Sequence, residues 1–383
     1  MNRKKYLAVS AALFCALLLG FFIAFLLVPD REFSATENRN LQTLPQATLS
    51  SVESGRFETS FENYVNDQFP LRDFFIQVKT TTDRLLGKTK SGNVFLGKDH
   101  TLIEDFVTPK INSTRTIRQS ITDFSQRFGD RPTHVMIVPT AVGILPEKLP
   151  LLADCGDQNA YLDEMNQYLQ KGGMDVIDLR AAFTAAKEDT LLYYRTDHHW
   201  TTDAAYLAFR EYTAHAGIDI SGMTYDRLPI SDNFTGTLSA TSGYAFSGKD
   251  EIYIYRRTDR TTKMSVYYAE EQYAKSSCYQ TDFLSGRDQY AVFLGGNHPL
   301  IKIKTDCPQD KTLLVIKDSY ANCFIPFLAQ CYREIYVVDP RYYYENLGTL
   351  VKTADIDEFL FLYNANTLAQ DTTLSVVLND ALC

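Results

Sequence analysis

The 383-residue chain lacks the marks of a disulfide-stapled or metal-clustered protein. No C-x-x-C pair occurs among its seven cysteines, which argues against a zinc knuckle or a thioredoxin-like redox site. It has six histidines, and no third His or carboxylate lies at recognisable ligand spacing from the adjacent pair His198-His199, so no metal is expected. A basic excess is also missing. With 38 Lys and Arg against 47 Asp and Glu, the net charge is −9, which speaks against nucleic acid or an anionic membrane surface as the main partner. There is one Trp, no internal repeat and no low-complexity segment. What remains is ordinary globular composition, 45% hydrophobic and 22% charged, long enough for one large domain or two modest ones.

The N-terminus departs from that composition. Arg3-Lys4-Lys5 precedes an almost unbroken apolar run from Leu7 to Val28, long enough to cross a bilayer of about 30 Å. Basic residues on its N-terminal side alone predict a cytoplasmic tail and an exported remainder. The run is longer than a signal-peptide core, and Leu26-Leu27-Val28-Pro29 offers no small-x-small cleavage site. Phe14 before Cys15 fits a lipoprotein site poorly. Residues 1–29 are therefore expected to be a short tail and an uncleaved anchor, and residues 30–54, polar with Pro45, a stalk. The cysteines outside the anchor give no disulfide framework, and most are expected to be buried thiols.

Beyond the stalk, Phe57, Phe61, Tyr64 and Val65 have helical spacing, as do Phe74, Phe75, Val78 and Leu85. A hairpin is expected over 93–103, with His100 in its turn. Strands (134–138, 175–179) then alternate with helices, and Thr201-Thr202-Asp203 can cap a helix carrying Ala205, Ala208, Phe209 and Tyr212. Such alternation predicts an α/β fold with a mostly parallel sheet and helices on both faces. Residues of about 217–310, rich in Tyr, Thr and Ser, are expected to be a small β insertion.

After the insertion, Thr312 to Ile316 is a short buried-strand run that ends in Lys317-Asp318-Ser319-Tyr320, and helical spacing follows. A serine at a strand-to-helix turn lies beside free backbone N–H groups, which suits a nucleophile and an ordinary N-cap equally. Serine chemistry needs a base, an acid that orients it, and oxyanion donors. Asp197-His198-His199-Trp200 supplies the first two: in an Asp-x-His turn the carboxylate of Asp197 can fold onto His199 Nδ1–H and leave Nε2 for a hydroxyl. The His pair also permits a metal reading, and Trp200 is expected to pack over the helix start.

The tetrad Asp197-His198-His199-Trp200 resembles the name-giving motif of the DHHW proteins of Gram-positive bacteria. These are similar to alginate O-acetylation proteins of the AlgJ and AlgX type, SGNH-hydrolase-like enzymes with a Ser-His-Asp triad. Glu37-Asn38-Arg39, Asp67-Gln68-Phe69-Pro70-Leu71-Arg72, Gly295-Gly296-Asn297-His298-Pro299 and Lys317-Asp318-Ser319-Tyr320 look familial too. The resemblance implies a three-layer SGNH-hydrolase-like domain over 55–383, circularly permuted because the Asp-His element precedes the serine. It implies a catalytic triad of Ser319, His199 and Asp197. Asn364, at a later strand end, falls where an Asn oxyanion donor belongs, while Arg341 occupies the place of the usual Gly, a departure. Asn297 and Tyr320 are further oxyanion or substrate-contact candidates, and Asp318 shapes the turn. The function implied is extracytoplasmic O-acyl, mainly O-acetyl, transfer to or hydrolysis from a cell-envelope polysaccharide, with no cofactor. The acyl donor is unspecified, and a membrane acyltransferase is one candidate source. A non-catalytic glycan-binding or assembly protein on the same fold is the alternative.

Overall fold

The computed structural model describes residues 3–34, 39–244 and 248–382. Glu37 and Asn38 of the first familial segment lie outside them. The chain divides into two compact units, Met1–Lys88 with Ala240–Ala245, and Thr89–Ser239 with Phe246–Cys383. Residues 55–88, read from sequence with the second unit, cluster with the first.

In the first unit, helix α1 (Arg3–Leu27) is long and apolar enough to cross a membrane. The expected stalk carries a two-residue antiparallel pair, Phe33–Ser34 with Arg39–Asn40, and a helix over Leu49–Glu53 capped by Thr48. Helices α2 (Arg56–Gln68) and α3 (Arg72–Leu85) follow the two amphipathic stretches.

The second unit is built on an eight-stranded sheet. Its strands are β1 (Thr133–Val138), β2 (Asp175–Val176), β3 (Met264–Tyr268), β4 (Tyr273–Lys275), β5 (Leu300–Thr305), β6 (Thr312–Lys317), β7 (Glu334–Val338) and β8 (Glu358–Asn364). Their order is β4-β3-β5-β7-β6-β8-β1-β2, with β7, β6, β8, β1 and β2 parallel and β5, β3 and β4 added antiparallel. This revises the insertion. Only Tyr225–Phe234 and Asp250–Arg257 form a separate two-stranded ribbon. Three other strands of the expected insertion, β3, β4 and β5, extend the main sheet, and the apolar residues of β5 alternate with Lys302 and Lys304 and so give no long run.

Strand β6 lies between β7 and β8, and its alternate residues serve two cores. Leu313 and Val315 join Phe209, Tyr212, Phe324 and Phe327 on one face, while Leu314 and Ile316 join Ile117, Phe124 and Leu162 on the other. Burial on both faces is why the strand reads as a continuous apolar run. The result is three layers, with the parallel strand ends Asp318, Asp339 and Asn364 on one edge. That edge is where α/β sheets carry their sites.

After β6 the chain does not enter a long helix. Ser319–Cys323 is a 3₁₀ turn capped by Asp318, and a four-residue helix, Ile325–Leu328, follows. Pro326 lacks the N–H that a continuous helix through this stretch would use.

Candidate active site

The segment that carries His199 is a pinched loop. Tyr194 N–H donates to the His199 carbonyl (3.2 Å) and Thr201 N–H to that of Leu192 (2.9 Å), which closes residues 195–198 into a loop. The buried carboxylate of Asp250 fixes the loop from behind. It accepts the N–H groups of Arg195 (2.9 Å) and Thr196 (2.8 Å) and the Thr196 hydroxyl (2.6 Å). Thr201 caps the following helix, Thr202–His215, by accepting from Ala204 N–H.

This loop meets the end of β6. His199 Nε2 lies 2.8 Å from Ser319 Oγ, and His199 Nδ1 lies 2.6 Å from Asp197 Oδ2. The second oxygen of Asp197 accepts the Thr237 N–H (2.9 Å) and hydroxyl (2.7 Å). With that hydroxyl donating to Asp197, the 2.7 Å contact between His198 Nδ1 and Thr237 Oγ1 has the imidazole as donor. Gly236 permits this approach, because a Cβ there would come within 2.1 Å of Asp197 Cβ. On the other side Tyr290 stacks on the His199 ring, 3.8 Å between centroids at 13°. Its hydroxyl donates to the Ser319 carbonyl (3.4 Å).

Electrostatics separates the two histidines. Burial opposes charge on Asp197, but His199 and His198 beside it hold its pKa well below the usual carboxylate range. Burial also opposes charge on His198, yet the Asp197 charge and hydrogen bond raise it to about 9. His199 is lowered to about 4 by burial and by repulsion from His198. His199 is thus neutral at pH 7, with Nδ1–H toward Asp197 and an Nε2 lone pair toward the serine hydroxyl.

Trp200 and Tyr320 bind the two segments together. The Trp200 indole N–H donates to the Tyr320 carbonyl (2.8 Å), the Tyr320 hydroxyl donates to the His198 carbonyl, and the two rings stack. Tyr320 is fully buried, and its side chain packs within the core.

Asn364 needs a larger correction. Its amide nitrogen donates to Asp318 Oδ2 (2.6 Å) and to Thr367 Oγ1 (2.7 Å), and its side-chain oxygen caps the helix Ala365–Gln370. Both amide hydrogens are used, so it is not a free oxyanion donor. What it holds is Asp318, whose other oxygen accepts the Tyr320 N–H (2.9 Å). Burial pushes the Asp318 carboxyl up to about 6, with Arg341 and the Asn364 and Tyr320 N–H groups opposing. Arg341 is drawn onto Asp339. Its Nε, Nη2 and backbone N–H all engage Asp339, at 2.8, 2.6 and 3.2 Å.

Asn297 is placed differently. Its side-chain oxygen accepts from Lys317 Nζ (2.9 Å) and Asn322 Nδ2 (3.2 Å), while its own amide N–H₂ donates to none of the described residues. Lys317 is wholly buried between Asn297, Asn322 (2.8 Å) and Asp339 (3.4 Å), and burial lowers its pKa. In a 3₁₀ turn residues i and i+3 eclipse, which puts Ser319 and Asn322 on one face. The Ser319 N–H also donates to none of the described residues. Next to His198 a pocket of about 360 Å³ opens, lined by Glu104, His198, Arg341, Asn366, Thr367 and Asp371 among others.

Asp197, His198 and His199 also satisfy the spacing of a metal cluster. The Asp197 oxygens, both His199 nitrogens and His198 Nδ1 are, however, already directed at one another, at Thr237 and at Ser319. Tyr290, Gly236, Thr237 and Asp250 carry no motif of their own; only the Gly-Thr pair, within a Thr- and Ser-rich stretch, hints at close backbone approach.

Residues 104–223 match the family model described as an SGNH hydrolase-like domain, acetyltransferase AlgX. A DHHW family protein from Eubacterium siraeum superposes with a TM-score of 0.60 at 21% identity, covering 75% of this chain and 98% of that one. The fold resembles that of SGNH-hydrolase-like proteins. Bacillus cereus PatB1, solved with a sulfonyl adduct, matches this chain equally well, with a TM-score of 0.60, 21% identity, and 74% and 98% coverage. A curated relative, the probable alginate O-acetylase AlgJ of Pseudomonas syringae pv. tomato, is 24% identical over 205 residues, 51% of this chain and 50% of the relative. The chain thus spans about half the length of the curated relative it matches.

Proposed function

We propose that this protein is a membrane-anchored, extracytoplasmic serine O-acyltransferase or esterase acting on a cell-envelope polysaccharide. Acetyl is the expected acyl group, as the name of the AlgJ relative suggests. The observation that carries the reading is the hydrogen-bonded line Ser319 Oγ–His199–Asp197, at 2.8 and 2.6 Å, at the carboxyl edge of the sheet.

In this mechanism Ser319 Oγ attacks the acyl carbonyl carbon, and its proton passes to His199 Nε2. Asp197 stays ionised and stabilises the imidazolium. The Ser319 N–H, with the unclaimed Asn297 amide, receives the oxyanion. When the carbon–oxygen bond to the leaving group breaks, the proton goes from His199 to that group, leaving acyl-Ser319. An acceptor hydroxyl then gives its proton to His199 and attacks the acyl carbon, and as the bond to Ser319 Oγ breaks His199 returns that proton to the serine oxygen, regenerating the hydroxyl and the neutral imidazole. A sugar hydroxyl as acceptor makes the protein a transferase, and water makes it an esterase. The polar pocket beside His198 suits a hydroxyl-rich acceptor, and the acyl donor would come from a membrane acyltransferase.

The test uses a small sulfonyl fluoride and p-nitrophenyl acetate. The wild type should gain one sulfonyl mass on Ser319 and release nitrophenol. Ser319→Ala and His199→Ala should lose about 10³-fold or more in rate. Equal nitrophenol release by all three would sink the triad. Comparing acetyl transfer to an oligosaccharide with release to water then separates transferase from esterase.

A further inference from the structure

Helix α3 in the first unit has two unlike faces. Ile76 and Thr80 face inward: Thr80 donates to the Ser242 carbonyl (3.1 Å), and both side chains crowd Gly243. The other side shows Leu71, just before the helix, then Phe74, Phe75, Val78 and Leu85, at spacings of three, four, seven and fourteen residues. All five are exposed, Leu71 by 68%, Phe74 by 57% and Leu85 by 84%. A soluble helix rarely leaves such a stripe in water.

The stripe continues into the anchor. Phe21 of α1 stacks on Phe69 (5.5 Å) and meets Phe75 (5.8 Å), and Phe25 meets Tyr64 (5.7 Å). A groove of about 760 Å³ runs between them, lined on one wall by Ala16, Leu17, Gly20 and Phe21, and on the other by Phe69, Leu71 and Phe74. Depth decides what fills it. Phe21 and Ala16 stand six and eleven residues before the end of α1 at Leu27. At 1.5 Å per residue, that is about 9 and 16 Å inside the apolar segment. Half of a bilayer core is about 15 Å, so if α1 spans the membrane, the corner between α2 and α3 lies at the level of acyl chains.

We infer that the α2–α3 corner is a second membrane-seated element, inserted into the extracytoplasmic leaflet beside α1, and that the groove between them takes a lipid acyl chain. The charges at the corner suit this position. Arg31 pairs with Asp73 (3.5 Å), and Arg72 lies 3.9 Å from Asp67. Long Arg side chains at a membrane boundary carry their heads toward the polar layer while their stems stay apolar. The inference rests on the reading of α1 as a membrane span.

The full chain, placed in nanodiscs containing a phospholipid with a diazirine on its acyl chain, gives the test after irradiation and peptide mapping. Labelled peptides are expected from α1 and from residues 69–78. A variant with Phe74→Glu and Val78→Glu should lose at least about five-fold of the corner label while α1 labelling and the circular dichroism spectrum stay unchanged. Label on α1 alone, or corner label unmoved in that variant, would overturn the inference while leaving the anchor standing. No label on α1 would instead remove the anchor and the inference with it. Corner residues that cross-link to a co-purified protein and take no lipid label would assign the stripe to a protein partner and overturn the lipid reading.

Discussion

Replacing His198 by Asn tests how the tetrad sets the basicity of its neighbour. The two imidazole rings are 3.9 Å apart, and His198 is held charged by Asp197, 3.4 Å from its Nδ1. At that separation and an effective dielectric of about 20, a positive His198 raises the cost of protonating His199 by about 4 kcal/mol, or about 3 pK units. Its side chain is 28% exposed, so solvent screens part of that repulsion. Asn can still donate to Thr237, and Asp197 keeps its charge. A net rise of about 1–2 units is therefore expected, moving His199 from about 4 toward the ordinary value of about 6.5. Catalysis needs neutral His199, so wild-type kcat/KM should hold down to about pH 5, while H198N should lose activity as pH falls through about 6. The assay is p-nitrophenyl acetate hydrolysis between pH 4 and 9. An acid limb that stays in place, or shifts to lower pH, would refute the proposed coupling.

Other perturbations follow from the same network. The Asp318 carboxyl has its folded pKa raised to about 6, above an unfolded value of about 3.9. Its stabilising contribution is therefore full below about pH 4 and is lost as pH rises through about 6, about 3 kcal/mol in all. Denaturant unfolding should show the wild type losing that much relative to Asp318→Asn between pH 4 and 7, and parallel stability profiles would contradict it. Gly236→Ala puts a methyl group 2.1 Å from Asp197 Cβ and should cut kcat by about 10²-fold. A near-native circular dichroism spectrum with unchanged kcat would mean that the Asp197 position is not critical.

What the sequence disclosed followed from periodicity and local geometry. The apolar run of β6 is visible because burial on both faces demands it, and Asp197 and His199 can be paired because two residues are enough to fold a carboxylate onto an imidazole. Asn364 shows the limit. Its position at a strand end is readable, but whether its amide meets a substrate or Asp318 depends on which neighbouring strand end carries a competing carboxylate. The same holds for Arg341, which Asp339 captures two residues away. Tyr290, Thr237 and Asp250 reach the site from segments with no fixed spacing to it, so no window could join them. Strand β5 is not legible because Lys302, half-buried, and Lys304, exposed, interrupt the apolar pattern that a fully covered strand would show.

The reciprocal hold between Trp200 and Tyr320 has a consequence for how activity is lost. Ser319 and His199 lie 120 residues apart in sequence, and the residue following each reaches across to the other's segment. Neither segment can fray alone, because the indole and the phenol that join them are sealed in the main core. Separating Ser319 from His199 therefore requires subglobal opening of the sheet itself. On a denaturant titration, inactivation and loss of tertiary structure should form one cooperative transition, with no window in which a folded but inactive enzyme accumulates.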